Sequence, residues 1–120
     1  MNPTNTASEQ DLLWGAYHDF NARHIDAVLA RLHPNVEWAN GMEGGHVHGR
    51  EGVREYWIRQ WGILDPHVDP LRIQQDEDGR WVVEVHQVVH DHDGNLLVDK
   101  VVHHAYRIAA GRIERMDILP

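Results

Sequence analysis

The sequence predicts an α+β domain, with helices in its first half and an antiparallel sheet in its second, packed on one shared core. Three observations carry this. Arg80–Asp91, Leu96–Ile108 and Arg112–Leu119 are rich in valine and isoleucine and are split by Asp93-Gly94-Asn95 and Ala109-Ala110-Gly111, as in a β-meander. Leu13, Trp14, Tyr17 and Phe20 recur at helical steps. The meander is also too long and too apolar to stand uncovered, so the helical half has a surface to bury.

The elements follow in order. Residues 1–7 are polar and read as a loose lead-in to a single domain over 8–120. Ser8, with Asp11 three positions on, offers an N-cap and an acidic first turn for a helix running to about Asn21. A second short helix places Ile25, Val28, Leu29 and Leu32 on one face. The chain then turns at His33-Pro34-Asn35, because the residue before a proline avoids helical geometry. Val36–Asn40 is a short strand candidate, followed by a glycine-laden loop over Gly41–Gly49. Arg50–Trp61 returns to helical spacing, with Val53, Tyr56, Trp57, Ile58 and Trp61 forming an aromatic face. Gly62–Pro70 contains Pro66 and Pro70 and reads as an irregular connection. A strand over Leu71–Gln75 ends at the Asp76–Gly79 turn, and the meander begins.

Composition excludes several functions. A net charge of -8 at pH 7 argues against a nucleic-acid partner, whose phosphates need clustered Lys and Arg. The absence of cysteine rules out disulfides, thiolate nucleophiles and Cys-based zinc sites, and is compatible with the expected cytoplasmic location. No signal-peptide pattern opens the chain and no apolar run is long enough to span a bilayer, so no membrane partner is expected. Eleven histidines in 120 residues make proximity of two of them in sequence weak evidence of a site.

Several stretches together resemble the nuclear transport factor 2-like superfamily, in its SnoaL-like and ketosteroid-isomerase-like branch. They are Phe20-Asn21-Ala22 with Ile25-Asp26, Leu32-His33-Pro34-Asn35-Val36-Glu37-Trp38, and His48-Gly49-Arg50-Glu51-Gly52-Val53-Arg54-Glu55-Tyr56-Trp57. His104-Ala105-Tyr106-Arg107-Ile108 and Gly111-Arg112-Ile113-Glu114-Arg115-Met116-Asp117 complete the set. The resemblance implies a cone: a curved, mostly antiparallel sheet wrapped over N-terminal helices, with an apolar pocket at the open end and pairing as a homodimer through the outer sheet face. It also implies chemistry without a cofactor. The fold hosts cyclases, isomerases, hydrolases and plain binding modules, so it does not settle function.

Matched residue by residue, the ketosteroid-isomerase apparatus is missing. Trp38 stands at the position of the base, Ala16 at that of the oxyanion tyrosine with Tyr17 one step off, and His104 at that of the protonated aspartate. Steroid isomerisation by that mechanism is therefore not expected. In the SnoaL-like cyclases a catalytic aspartate sits on the last strand. Asp117 is the candidate here, although the two-residue period counted from Gly111 turns Met116 and Ile118 inward instead.

His104 shares a strand face with Val102, Tyr106 and Ile108, so it is either a satisfied core histidine or a functional one, acting as a neutral base or as a donor to a substrate oxygen. His86 depends on the hairpin. A two-residue Asp93-Gly94 turn places it opposite Val101 and away from His104, and a three-residue His92-Asp93-Gly94 loop places it on His104's face. The expected catalytic set is thus His104, His86 and Asp117. The expected wall is Trp14, Tyr17, Trp38, Asn40, Met42, Tyr56, Trp57, Trp61 and Met116, suited to a small apolar or aromatic carbonyl compound unless the tryptophans fill the space themselves. No metal site is expected: Gly41 with His46-Val47-His48 and Glu55 only approximates a cupin motif, and His86, His90 and His92 span too far for one tetrahedral ion.

Overall fold

A computed structural model describes residues 4–120. Its elements are α1 (Thr4–Asn21), α2 (Ile25–Ala30), β1 (Leu32–Ala39), β2 (His46–His48), α3 (Gly49–Ile63), β3 (Leu64–Gln75), β4 (Trp81–Asp91), β5 (Leu96–Ala109) and β6 (Arg112–Ile118). The six strands form one mixed sheet in the order β2-β1-β6-β5-β4-β3. Only β1 and β6 run parallel; every other neighbouring pair is antiparallel. The α+β expectation holds.

Helix α1 begins at Thr4, so Ser8 lies inside it rather than capping it, and residues 4–7 are helical rather than loose. Residues 1–3 of that lead-in lie outside the described residues. A tertiary tie accounts for the early start: Trp81 Nε1 on β4 donates to Glu9 Oε1 at 2.9 Å and anchors the helix well before its apolar stripe. Gly15 within α1 has a packing reason. A methyl group there would stand 2.4 Å from the guanidinium carbon of Arg31, whose Nε donates to the buried Asp19 at 2.9 Å.

The second helix is two residues shorter than its periodicity suggests. It ends at Ala30, and fully buried Leu32 opens β1 instead. Pro34 is accommodated by an irregularity between Leu32 and Glu37 in the pairing with β6.

The segment with two prolines is strand, not loop. β3 is the edge of the sheet, and the residues of Pro66's parity turn their amides away from β4. Both backbone groups of Val68 show this, since its N–H donates to Asn21 Oδ1 at 3.0 Å and its carbonyl accepts from Asn21 Nδ2 at 2.8 Å. Pro66 and Pro70 therefore lack only N–H groups that would have faced the free edge. The pairing shifts between Pro70 and Arg72.

The β4–β5 hairpin combines the two turn expectations. Its loop is His92-Asp93-Gly94, closed by Asp91 N–H to Asn95 O at 3.0 Å, with Gly94 left-handed at φ 86°. A bulge at Leu97 then shifts the register, so His90 faces Leu96 but Val89 faces Val98. The long loop alone would have turned His86 inward. The bulge cancels that, and His86 stands opposite Val101.

The inner sheet face carries Trp81, Val83, Val85 and Val89 from β4, His104 and Tyr106 from β5, and Ile113 and Met116 from β6. It packs against Leu13, Ala16 and Tyr17 of α1, Val28 and Leu29 of α2, and Val53, Tyr56 and Trp57 of α3. Fully burying each of the larger apolar chains is worth about 1.5–3 kcal/mol.

Candidate active site

Between the sheet and α1 and α3 lies a cavity of about 400 Å³, which the tryptophans do not fill. Its wall includes Tyr17, Trp38, Met42, Tyr56, Trp57 and Met116 of the expected set. Three expected members are elsewhere. Trp14 is 36% exposed, because Leu13, Ala16 and Tyr17 form the inward stripe of α1. Asn40 folds back on its own loop, its Oδ1 accepting from Met42 N–H at 3.0 Å and Glu43 N–H at 2.9 Å. Trp61 packs against Phe20 and Trp57, outside the lining.

Sequence reasoning missed Phe20, Leu64, Pro66, Val68, Gln87, Val89, Val98 and Ile118. Reading Gly62–Pro70 as a loop removed Leu64, Pro66 and Val68 from consideration. The parity of β6 had already pointed Ile118 inward.

His104 is the titratable group at the centre of the site. It is buried beside Val83 of β4 and Ile118 of β6, its two cross-strand partners. Tyr106 donates its hydroxyl to Tyr17 Oη at 2.7 Å, and the Tyr17 hydroxyl stands 2.8 Å from His104 Nδ1. Since Tyr17 receives one proton and has one to give, it donates to Nδ1, and the neutral imidazole carries its own proton on Nε2. The Tyr17 and His104 rings lie parallel, 6.0 Å apart. Burial pushes the His104 pKa down to about 4, with His103 adding a smaller effect in the same direction. Burial also raises both phenols above their usual value, so the Tyr106–Tyr17–His104 cluster is uncharged near neutrality.

Nε2 has no hydrogen-bond partner among the described residues, yet it is not sealed: among those residues the only buried side-chain N or O atom without a partner is Trp61 Nε1. His104 lines the cavity, so Nε2–H opens into it. A second donor stands on α3. Tyr56 Oη accepts from Gly41 N–H at 3.1 Å, which leaves its own proton unassigned. Burial raises the Tyr56 pKa above the ordinary phenol value, against the backbone amides of Gly41 and Met42.

The other two expected catalytic residues are on the outer face. His86 Nε2 meets Asp99 Oδ1 at 2.6 Å, among exposed side chains. Asp117 stands opposite Ala105, with Met116 and Ile118 inward as the strand parity required. Arg115 grips Asp117 through Nε at 2.8 Å and Nη2 at 3.1 Å, and His46 Nε2 lies 2.8 Å away. The bonded Arg115 guanidinium holds this carboxyl below the usual carboxylate range, and His46 adds to it against partial burial. No aspartate, glutamate, lysine or arginine lines the cavity among the described residues. Those residues also hold no group of three His, Cys, Asp or Glu arranged for a metal ion. None of their helices is long and apolar enough to cross a membrane.

The SnoaL-like domain family matches residues 15–116. The chain is a SnoaL-like protein. Solved structures agree on the fold. TerC, co-crystallised with polyporic acid, is 24% identical with a TM-score of 0.81, over 93% of this chain and 90% of that one. A putative polyketide cyclase from Pseudomonas putida KT2440 is 18% identical with a TM-score of 0.80, over 93% and 90%. SalBIII, an epoxide hydrolase/cyclase-like enzyme in pyran ring formation in the polyether salinomycin, is 15% identical with a TM-score of 0.80, over 95% and 91%. No curated protein matches this SnoaL-like sequence.

Proposed function

We propose that the cavity binds a small, largely apolar carbonyl compound and that His104 donates its Nε2–H to the carbonyl oxygen, in cofactor-free chemistry of the isomerase or cyclase type. The observation that carries this reading is a buried neutral imidazole with one nitrogen held by Tyr17 and the other open to an aromatic cavity. A fixed, uncharged donor suits an oxygen that gains negative charge as an enol or enolate forms, and it needs no reorganisation when that charge develops. Tyr56 O–H is a second candidate donor. His104→Gln should lower turnover of an active carbonyl substrate about 10²–10³-fold, the usual effect of losing one such donor. An unchanged rate in a folded variant removes His104 from the chemistry.

A second reading has its own support. Among the described residues the cavity lining offers no carboxylate base, and the proton on Nε2 leaves His104 a donor in this arrangement, which suits a non-catalytic binding module of the same fold. Saturable binding across a carbonyl panel without turnover selects it.

We also propose a homodimer formed through the outer sheet face, where half-exposed Val101 lies among the His86–Asp99 and His103–Glu84 pairs.

A further inference from the structure

The polar inventory of the cavity narrows the ligand's charge. Its lining holds the Tyr17, Tyr56 and Tyr106 hydroxyls, the amides of Gln60 and Gln87, and His104. The Tyr106 proton is committed to Tyr17 and the Tyr17 proton to Nδ1, so the deep cluster presents one donor, Nε2–H. Tyr56 O–H is a further donor on the lining. A methyl group on Gly41 would meet Ile118 Cδ1 at 3.3 Å and Tyr56 Oη at 3.9 Å, and Ile118 is the cross-strand partner of His104. The two donors thus flank one isoleucine. Both suit a neutral oxygen acceptor, and neither brings a positive charge.

Most of the charges nearby are committed elsewhere. Asp19 of α1 is held by Arg31, and Asp117 and Arg115 of β6 pair on the outer face. Arg59 of α3 is bonded to Glu43 and Glu84 of β4 to Arg72. Lys100, the cross-strand partner of Gln87 and so on the cavity's side of the sheet, is exposed and has no ion pair among the described residues. His103, next to His104, points outward and is 4.0 Å from Glu84. A carboxylate placed beside Nε2 would exchange water for neutral donors and apolar walls, at a desolvation cost. That cost disappears if the complex takes up a proton, on the ligand or on His104.

We infer that this cavity selects uncharged ligands bearing a carbonyl-type oxygen and admits their carboxylate counterparts only together with a proton. The inference rests on the ligand-binding reading above and specifies its ligand class. Affinity for an acid then rises as pH falls, tenfold per unit for one proton taken up, and affinity for the matching ester stays flat.

The test is calorimetric titration with methyl 2-naphthoate, 2-naphthamide and 2-naphthoate from pH 5 to pH 8, in buffers of different ionisation enthalpy. The His104 ring signal is followed by NMR to locate the ligand. The ester and amide should bind without proton uptake and move that signal. The acid, with a pKa of about 4, should bind about 100-fold more weakly than the ester at pH 6 and about 1,000-fold at pH 7, taking up close to one proton. Gln87→Lys, which places a cation on the wall, should strengthen acid binding relative to ester and flatten its pH slope. If acid and ester bind equally well at pH 8 without proton uptake, the charge selection is overturned and the cavity reading stands. If none of the three binds or moves His104 at any pH, the cavity reading fails and takes the inference with it.

Discussion

At His104 the unfolded and folded chains hold a proton differently. The free imidazole protonates near pH 6.5, and the buried one only near pH 4. Between those values the unfolded state carries the extra proton, so stability falls as pH falls through this window and is unaffected above it. From pH 7 to pH 5 the loss from this group is about 2 kcal/mol. Urea unfolding should show His104→Gln losing correspondingly less than the wild type over that interval; equal losses would mean that His104 titrates normally. The directed hydroxyl chain makes a second prediction. Tyr106→Phe removes one hydrogen bond and should cost about 1 kcal/mol, whereas Tyr17→Phe strands both Nδ1 and the Tyr106 hydroxyl and should cost about 2–4 kcal/mol. Thermal denaturation of the two variants checks the order. The inward facing of His104 was legible from strand alternation. Its partner was not, because Tyr17 was measured against a family position at Ala16, and both residues turn out to line the cavity.

At the scale of elements, β3 and the β4–β5 hairpin decide what the cavity contains. Asn21 clasps the edge of β3 through both backbone groups of buried Val68. Asn21→Ala should therefore cost about 1–3 kcal/mol and speed amide exchange along β3 specifically, as read by hydrogen exchange. Gly94→Ala, at φ 86°, should cost about 1–2 kcal/mol from its left-handed backbone alone. Sequence pattern found the strands of the meander and the parity of β6. It misread Leu64–Pro70, because proline excludes a residue from a central strand but not from an edge, and edge status is a tertiary property. Nor did it foresee the bulge at Leu97: nothing in Leu96-Leu97-Val98 marks an extra residue, yet that residue sets which way His86 points.

For the whole molecule, the division between an uncharged interior site and a charged outer face organises the account. The outer sheet surface holds the Arg115–Asp117 ion pair and the His86–Asp99 and His103–Glu84 contacts, and the cavity holds no ionised side chain among the described residues near neutral pH. The proposed dimer should give about twice the 13.9 kDa chain mass in light scattering. Val101→Glu, which adds a charge to the half-exposed outer face, should shift it toward monomer at the same concentration. A strict monomer in the wild type would remove the dimer. The architecture was readable early because hydrophobic period and turn chemistry agree along most of the chain. The cavity volume was not, since five tryptophans could equally have filled it.

The most direct measurement is an NMR titration of the His104 ring, assigned with His104→Gln and read through both ring nitrogens, without ligand and with methyl 2-naphthoate. The expected result is a neutral Nε2–H tautomer that persists down to about pH 5 and a ring signal that moves when the ester binds. A ring that titrates near 6.5 and ignores the ester would contradict it.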